Sequence, residues 1–101
     1  METMIINGKE YREVTKESDI KIVVLPRSWI SVGRFKRNGN DCTLEDSHTI
    51  RVWGTTKGLG ELAEKGPQPN TKLDKDGTIQ FSWLNAIKTI ECEVSVWDNI
   101  L

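Results

Sequence analysis

The stretch Trp29-Ile30-Ser31-Val32-Gly33-Arg34-Phe35-Lys36-Arg37-Asn38-Gly39-Asn40-Asp41-Cys42-Thr43-Leu44 decides the fold class. Side chains on a strand alternate between its two faces. Ile30 and Val32 therefore point one way, and Trp29, Ser31, Gly33 and Phe35 the other. A glycine at position 33, inside such a run, marks a sharp bend or a close backbone approach. Asn38-Gly39-Asn40-Asp41 is turn chemistry. Cys42 and Leu44 then begin a short strand over 41–45. Glu45-Asp46-Ser47-His48-Thr49 reads as a polar turn before another short strand over 49–53, with Ile50 and Val52 toward the core.

The pattern continues on both sides. Upstream, Ile20, Ile22 and Val24 share one face and Val23 and Leu25 the other, a strand buried on both sides and stopped by Pro26. Further upstream, Asn7-Gly8 between Ile5-Ile6 and Tyr11 is a strong hairpin signal. Residues 1–18 are expected to form an N-terminal hairpin or extension. Downstream, 54–60 is glycine-rich loop, and Glu61-Leu62-Ala63-Glu64-Lys65 supports a turn or two of helix ended by Gly66-Pro67. Thr71–Leu73 reads as a short strand before an Asp74–Gly77 turn, and Ile79, Phe81 and Trp83 alternate after it. Ile90, Cys92, Val94 and Val96 alternate as a last strand.

Many short strands separated by Gly, Asn and Asp predict an all-β protein. The expected architecture is a small SH3/Sm-like barrel or a strongly curled antiparallel sheet, with one short helical turn in a long loop. One domain spans 1–101, with the barrel over 19–97 and an insertion loop at 54–73. Free sheet edges invite pairing with another chain, so a homo-oligomer is expected.

Composition narrows function. The chain has 101 residues, 37% hydrophobic and 29% charged, and its 14 basic residues nearly balance 15 acidic ones. That balance argues against binding a long polyanion or holding to a membrane by charge. No apolar run approaches the ~20 residues that span a bilayer. Met1–Gly8 lacks the basic and apolar regions of a signal peptide, so a cytoplasmic protein is expected.

Chemistry is scarce. Cys42 and Cys92 form no CxxC pair and read as small buried hydrophobes. His48 is the one imidazole and reads as a turn histidine facing water. No G-x-S-x-G elbow exists. Neither an enzyme, a metal site nor a cofactor is expected. Gly58-Leu59-Gly60-Glu61-Leu62-Ala63 matches G-x-G-x-x-A, but no full crossover helix follows, so a dinucleotide fold is excluded.

What the loop does offer is a binding site. If Ile50 and Val52 take the core face, Arg51 and Trp53 share the other, at the mouth of the glycine-rich loop. An arginine beside an indole can hold a phosphate and stack a base. Thr55, Thr56 and Lys57 add donors, and Gly58 and Gly60 open a helix N-terminus. The same Trp and Arg would serve equally in a subunit interface.

Two resemblances follow from these residues. Trp29–Leu44 with Ile50-Arg51, and Trp83-Leu84-Asn85-Ala86-Ile87-Lys88-Thr89-Ile90, are similar to the two-motif layout and closing strand of Sm-like proteins of the Hfq type. That resemblance implies a five-stranded barrel, ring assembly and single-stranded RNA binding. This chain departs from it with Asn85 where the Hfq branch has histidine and with the 54–73 insertion. The segment Ile50-Arg51-Val52-Trp53-Gly54-Thr55-Thr56-Lys57-Gly58-Leu59-Gly60-Glu61-Leu62, with Gly66-Pro67, resembles small proteins of bacterial and phage genomes. This second resemblance names no activity. It implies a role in the host cytoplasm if phage-encoded, such as sequestering a nucleotide signal of host defence.

The leading expectation is a non-enzymatic module binding a small nucleotide through Arg51, Trp53, Thr55, Thr56, Lys57, Gly58 and Gly60. One alternative is a ring binding single-stranded RNA or DNA through Arg34, Lys36 and Arg37. Another is a protein–protein adaptor.

Overall fold

A computed structural model of the chain describes residues 19–101, so the expected N-terminal hairpin lies outside the described residues. Five strands make one sheet: β1 (Ile20–Leu25), β2 (Trp29–Asn38), β3 (Asp41–Val52), β4 (Lys72–Ser82) and β5 (Lys88–Glu91). Helix α1 (Leu59–Lys65) lies between β3 and β4, and α2 (Val94–Trp97) follows β5. Single 3-10 turns occupy Pro26–Ser28 and Trp83–Asn85. The strand order is β4-β3-β2-β1-β5, and every pairing is antiparallel. The protein is mainly β, as the alternation requires. Of the two expected architectures it is the open one, because β4 and β5 are both edges and the barrel does not close.

Both faces of β1 are buried, again as its sequence requires. Ile20 and Ile22 join Ile30, Val32 and Ile50 under α1 and α2, which supply Leu62, Ala63 and Trp97, while Cys92 packs between. Val23 is buried on the other side. That second face also carries Leu44 and Cys42, with a cluster in which Phe35 lies 6.3 Å from Phe81 and 6.1 Å from Trp83 between ring centroids. Each fully buried aliphatic side chain stabilises the fold by about 1.5–3 kcal/mol. Gly33 meets the expected close approach: a Cβ there would sit 3.0 Å from the Glu45 carbonyl oxygen.

Three segments differ from their sequence reading. The polar run 45–49 is no turn. It is a bulge inside the continuous strand β3, where Asp46 adopts φ 53°. His48 is consequently a strand residue paired with Val32, half-buried rather than fully in water. The run 74–77 is likewise absorbed into β4, where Gly77 takes φ 83° and the register shifts. A bulge keeps ladder bonds that a turn would forfeit, and it tolerates polar residues at an edge. Finally, the last strand stops at Glu91. Residues 94–97 coil into α2, which buries Trp97 completely and leaves Val94 exposed. Burying that indole outweighs the extension of a short edge strand.

Candidate functional site

The glycine-rich connection is tied down along its length. Gly54 has φ 71°, and a Cβ there would lie 2.3 Å from the Thr71 nitrogen, so only glycine lets the two ends of the loop touch. Thr71 Oγ1 closes the contact by donating to the Trp53 carbonyl at 2.6 Å. Thr55 Oγ1 donates to the Gly58 carbonyl at 2.7 Å. Glu61 reaches back over the start of α1, accepting from Lys57 N–H at 2.9 Å and Thr56 Oγ1 at 3.3 Å. The first-turn carboxylate thus ties the helix start to the loop before it, while the N-cap, Gly58, supplies no side-chain cap of its own. Gly66 ends α1 at φ 83°, and its N–H donates to Leu62 O at 2.9 Å.

Arg51 is held as firmly. Its Nε and a terminal nitrogen donate to the two Asp74 oxygens at 2.7 and 2.9 Å. The bond to Asp74 raises the Arg51 pKa, and the guanidinium holds the Asp74 carboxyl below its ordinary value. The register slips here, with Ile50 opposite Leu73 and Val52 opposite Lys72. Leu73 packs toward the helices, so the neighbouring Lys72, and Val52 opposite it, turn away. Ile50 is buried as expected, but Val52 is 44% exposed and does not join the core. The alternation that was to leave Arg51 and Trp53 on a common face is broken by this bulge. Trp53 is 43% exposed.

The cations of the nucleic-acid alternative are also engaged. Arg34 bridges Asp98 at 2.8 Å and Asp46 at 3.1 Å, and these bonds, Asp98 first, raise its pKa. Lys36 pairs with Glu45 at 3.1 Å. Arg37 lies 4.0 Å above the Trp83 ring and donates to the Gly39 carbonyl.

The surface that the sequence reading missed lies at the end of the sheet where β1 and β3 finish and β2 and β5 begin. There Trp29 is 62% exposed and Ile87 65%; Leu84, 78% exposed, instead follows Trp83, whose N–H donates to Asn40 O at the β2–β3 turn. Trp29 stands directly opposite Leu25, so the two share a side. Ile87 N–H donates to Val24 O at 2.9 Å, which sets it beside the end of β1. The connecting turn holds two consecutive non-glycine residues at positive φ, Arg27 at 64° and Ser28 at 63°. Such backbone costs on the order of 1 kcal/mol per residue and persists where the surroundings enforce it. Arg27, Lys72 and Lys88 have no ion pair among the described residues. One signal was present in the sequence: with Ile30 claiming the core, Trp29 had to face away, directly after a turn.

Elsewhere, Cys42 and Cys92 are free and buried, as read from the sequence. Burial pushes the Cys92 thiol up to about 12. Among the described residues no three His, Cys, Asp or Glu side chains are grouped to hold a metal ion, and no helix is long and apolar enough to cross a membrane. An open groove of about 470 Å³ runs along Asp41–Thr43 and Gln80–Ser82, at the opposite end of β3 from Arg51, and none of the residues expected to bind lines it. No protein-family model and no curated protein sequence matches the chain.

Proposed function

We propose that the protein is a non-enzymatic binding module whose ligand is another polypeptide, docked at the β1–β2 end of the sheet. The observation that carries this reading is that Trp29 and Ile87, at 62% and 65% among the most exposed large apolar side chains of the described residues, both lie at the Leu25 end of β1, Trp29 opposite Leu25 and Ile87 bonded through its N–H to Val24 O. Exposed apolar groups gathered in one place mark interaction surfaces, and tryptophan is the residue type most enriched among binding hot spots. The donors on which a nucleotide or RNA site would depend are bonded to the protein's own groups. Arg51 has Asp74, Arg34 has two aspartates, and the amide at Lys57 has Glu61.

A second reading keeps the small ligand. Trp53 is half-exposed, and the Lys57 ammonium has no ion pair among the described residues. A planar, anionic molecule could stack and pair there without displacing a hydrogen bond. Native mass spectrometry of protein purified from cells separates the two. A retained polypeptide, lost in Trp29→Ala and kept in Trp53→Ala, supports the leading reading. A retained nucleotide mass, lost in Trp53→Ala alone, overturns it in favour of the second.

A further inference from the structure

We infer that the partner docks as an extended segment, alternating apolar and acidic residues, that adds as a sixth strand to the edge of β5 that no strand of the described residues covers. This rests on the polypeptide-binding reading above and gives it a geometry.

The two sheet edges differ. β4 carries Lys72, Asp74, Lys75 and Asp76, and its pairing with β3 is interrupted by register shifts. Charges and bulges of this kind discourage a further strand. β5 has none of those shifts in its pairing with β1, and it leads directly from the exposed Ile87. Cys92 N–H donates to Ile20 O. Donors alternate along an antiparallel strand, so Ile90 also turns its N–H toward β1, and Thr89 and Glu91 turn theirs to the open side. A strand added there gains main-chain hydrogen bonds, and its alternate side chains extend the row formed by Trp29, Leu25 and Ile87.

Charge sets the rest of the partner's chemistry. Arg27 lies in the turn between Leu25 and Trp29, and Lys88, opposite Val24, stands on the other face of β5 from the row; neither has an ion pair among the described residues, so an added strand would meet apolar side chains on one face and a cation on the other. A second copy of the same surface would bring like charges together, whereas acidic side chains would meet them. Single-stranded nucleic acid would use Trp29 but leave Ile87 without a role. A lipid surface would use neither outward N–H.

The test is selection of a displayed random dodecapeptide library on the immobilised full-length protein. Each enriched peptide is then titrated against the wild type, Ile87→Asp, Lys88→Glu and Thr89→Pro. Proline on an edge strand with an outward N–H keeps the pairing with β1, and circular dichroism checks that each variant stays folded. The expected result is enrichment of alternating acidic and apolar peptides whose affinity falls about tenfold or more in each variant. Peptides sensitive to Ile87→Asp but indifferent to Thr89→Pro would overturn strand addition and leave the polypeptide reading standing. Enrichment of basic peptides would overturn the charge assignment. Binding of oligothymidylate or phosphatidylserine vesicles, with no peptide enriched, would overturn both readings.

Discussion

Trp97 and Trp29 are the same side chain with opposite fates. Trp97 is fully buried beneath α1, and its Nε1–H is shared between the carbonyls of Leu62 at 3.2 Å and Ala63 at 3.0 Å. Trp29 opens β2 and is 62% exposed, and its side chain makes no hydrogen bond among the described residues. The first region is built from satisfied groups: indole to carbonyl, carboxylate to guanidinium, thiol in apolar surroundings. The second collects what those rules disfavour, namely apolar surface in water, cations without an ion pair among the described residues, and backbone at positive φ. Isolated departures occur elsewhere, Asp46 at φ 53° and the buried Ser47 hydroxyl with no hydrogen-bond partner among the described residues, but exposed apolar surface and two consecutive residues at positive φ come together at the Trp29 end.

The largest way to break the contrast is at the satisfied end. Trp97→Ala removes a buried indole and the hydrogen bonds it gives to two helix carbonyls, each of which keeps one backbone donor, Gly66 N–H on Leu62 O and Glu93 N–H on Ala63 O. The expected loss is about 3–5 kcal/mol, read from urea denaturation, with fragility of the whole fold. Gly66→Ala comes next. A Cβ at this position would fall 2.5 Å from Val96 Cγ1, in a residue already at φ 83°. About 2 kcal/mol or more should be lost. A much smaller loss would mean that α2 does not pack on α1 as described.

How much of this was legible follows the same division. β1, β2, the short helix and the buried cysteines were readable because burial on one side imposes a strict period, and a period survives in sequence. The bulges at Asp46 and Gly77 were not. Glu45–Thr49 and Asp74–Gly77 have turn composition, and only the neighbouring strand decides whether polar residues turn or bulge. The Val94–Trp97 helix was misread because four alternating residues fit both periods, and Trp97 finds its carbonyls some 34 positions away in the chain. The candidate site suffered from the same bulge problem. Arg51 and Trp53 shared a face only while β3 alternated without interruption. Trp29 could be placed opposite Ile30 and Val32 from the alternation, but a period does not say whether that side is covered.

Intermediate in size is a pH effect in the satisfied core. Burial raises the Cys92 thiol from 9.0 to about 12. The sign follows from proton count. Above the ordinary thiol value the unfolded chain has lost a proton that the folded chain keeps, so unfolding is favoured by alkali. The contribution is whole below pH 9 and lost as pH rises toward 12. At pH 10 the part already lost is on the order of 1 kcal/mol. Cys92→Ala should flatten that limb of the stability curve, and iodoacetamide should label Cys92 in the native protein far more slowly than in urea.

Trp29→Ala then sharpens the contrast from the other side. An exposed indole that supports no hydrogen bond should change stability by less than about 0.5 kcal/mol, while abolishing capture of the partner polypeptide. A loss approaching that of Trp97→Ala would show Trp29 to be a packing residue after all and remove the reason to place a partner there.

The smallest effect belongs to the Arg51–Asp74 pair, which sits between the two regions. Both groups are in water, so the pair is screened and holds a loop end rather than the fold. The Asp74 carboxyl is held below its ordinary value. Its contribution is therefore present above that ordinary value and fades as pH falls through the lower folded one. Asp74→Asn should remove this acid limb, leave the neutral-pH melting temperature nearly unchanged, and release the guanidinium. If the released Arg51 then confers nucleotide binding that the wild type lacks, the ion pair is what keeps the glycine-rich loop from being an anion site. If it confers none, Arg51 anchors the bulge and takes no part in recognition, which leaves Trp29 at the start of β2 as the residue to test.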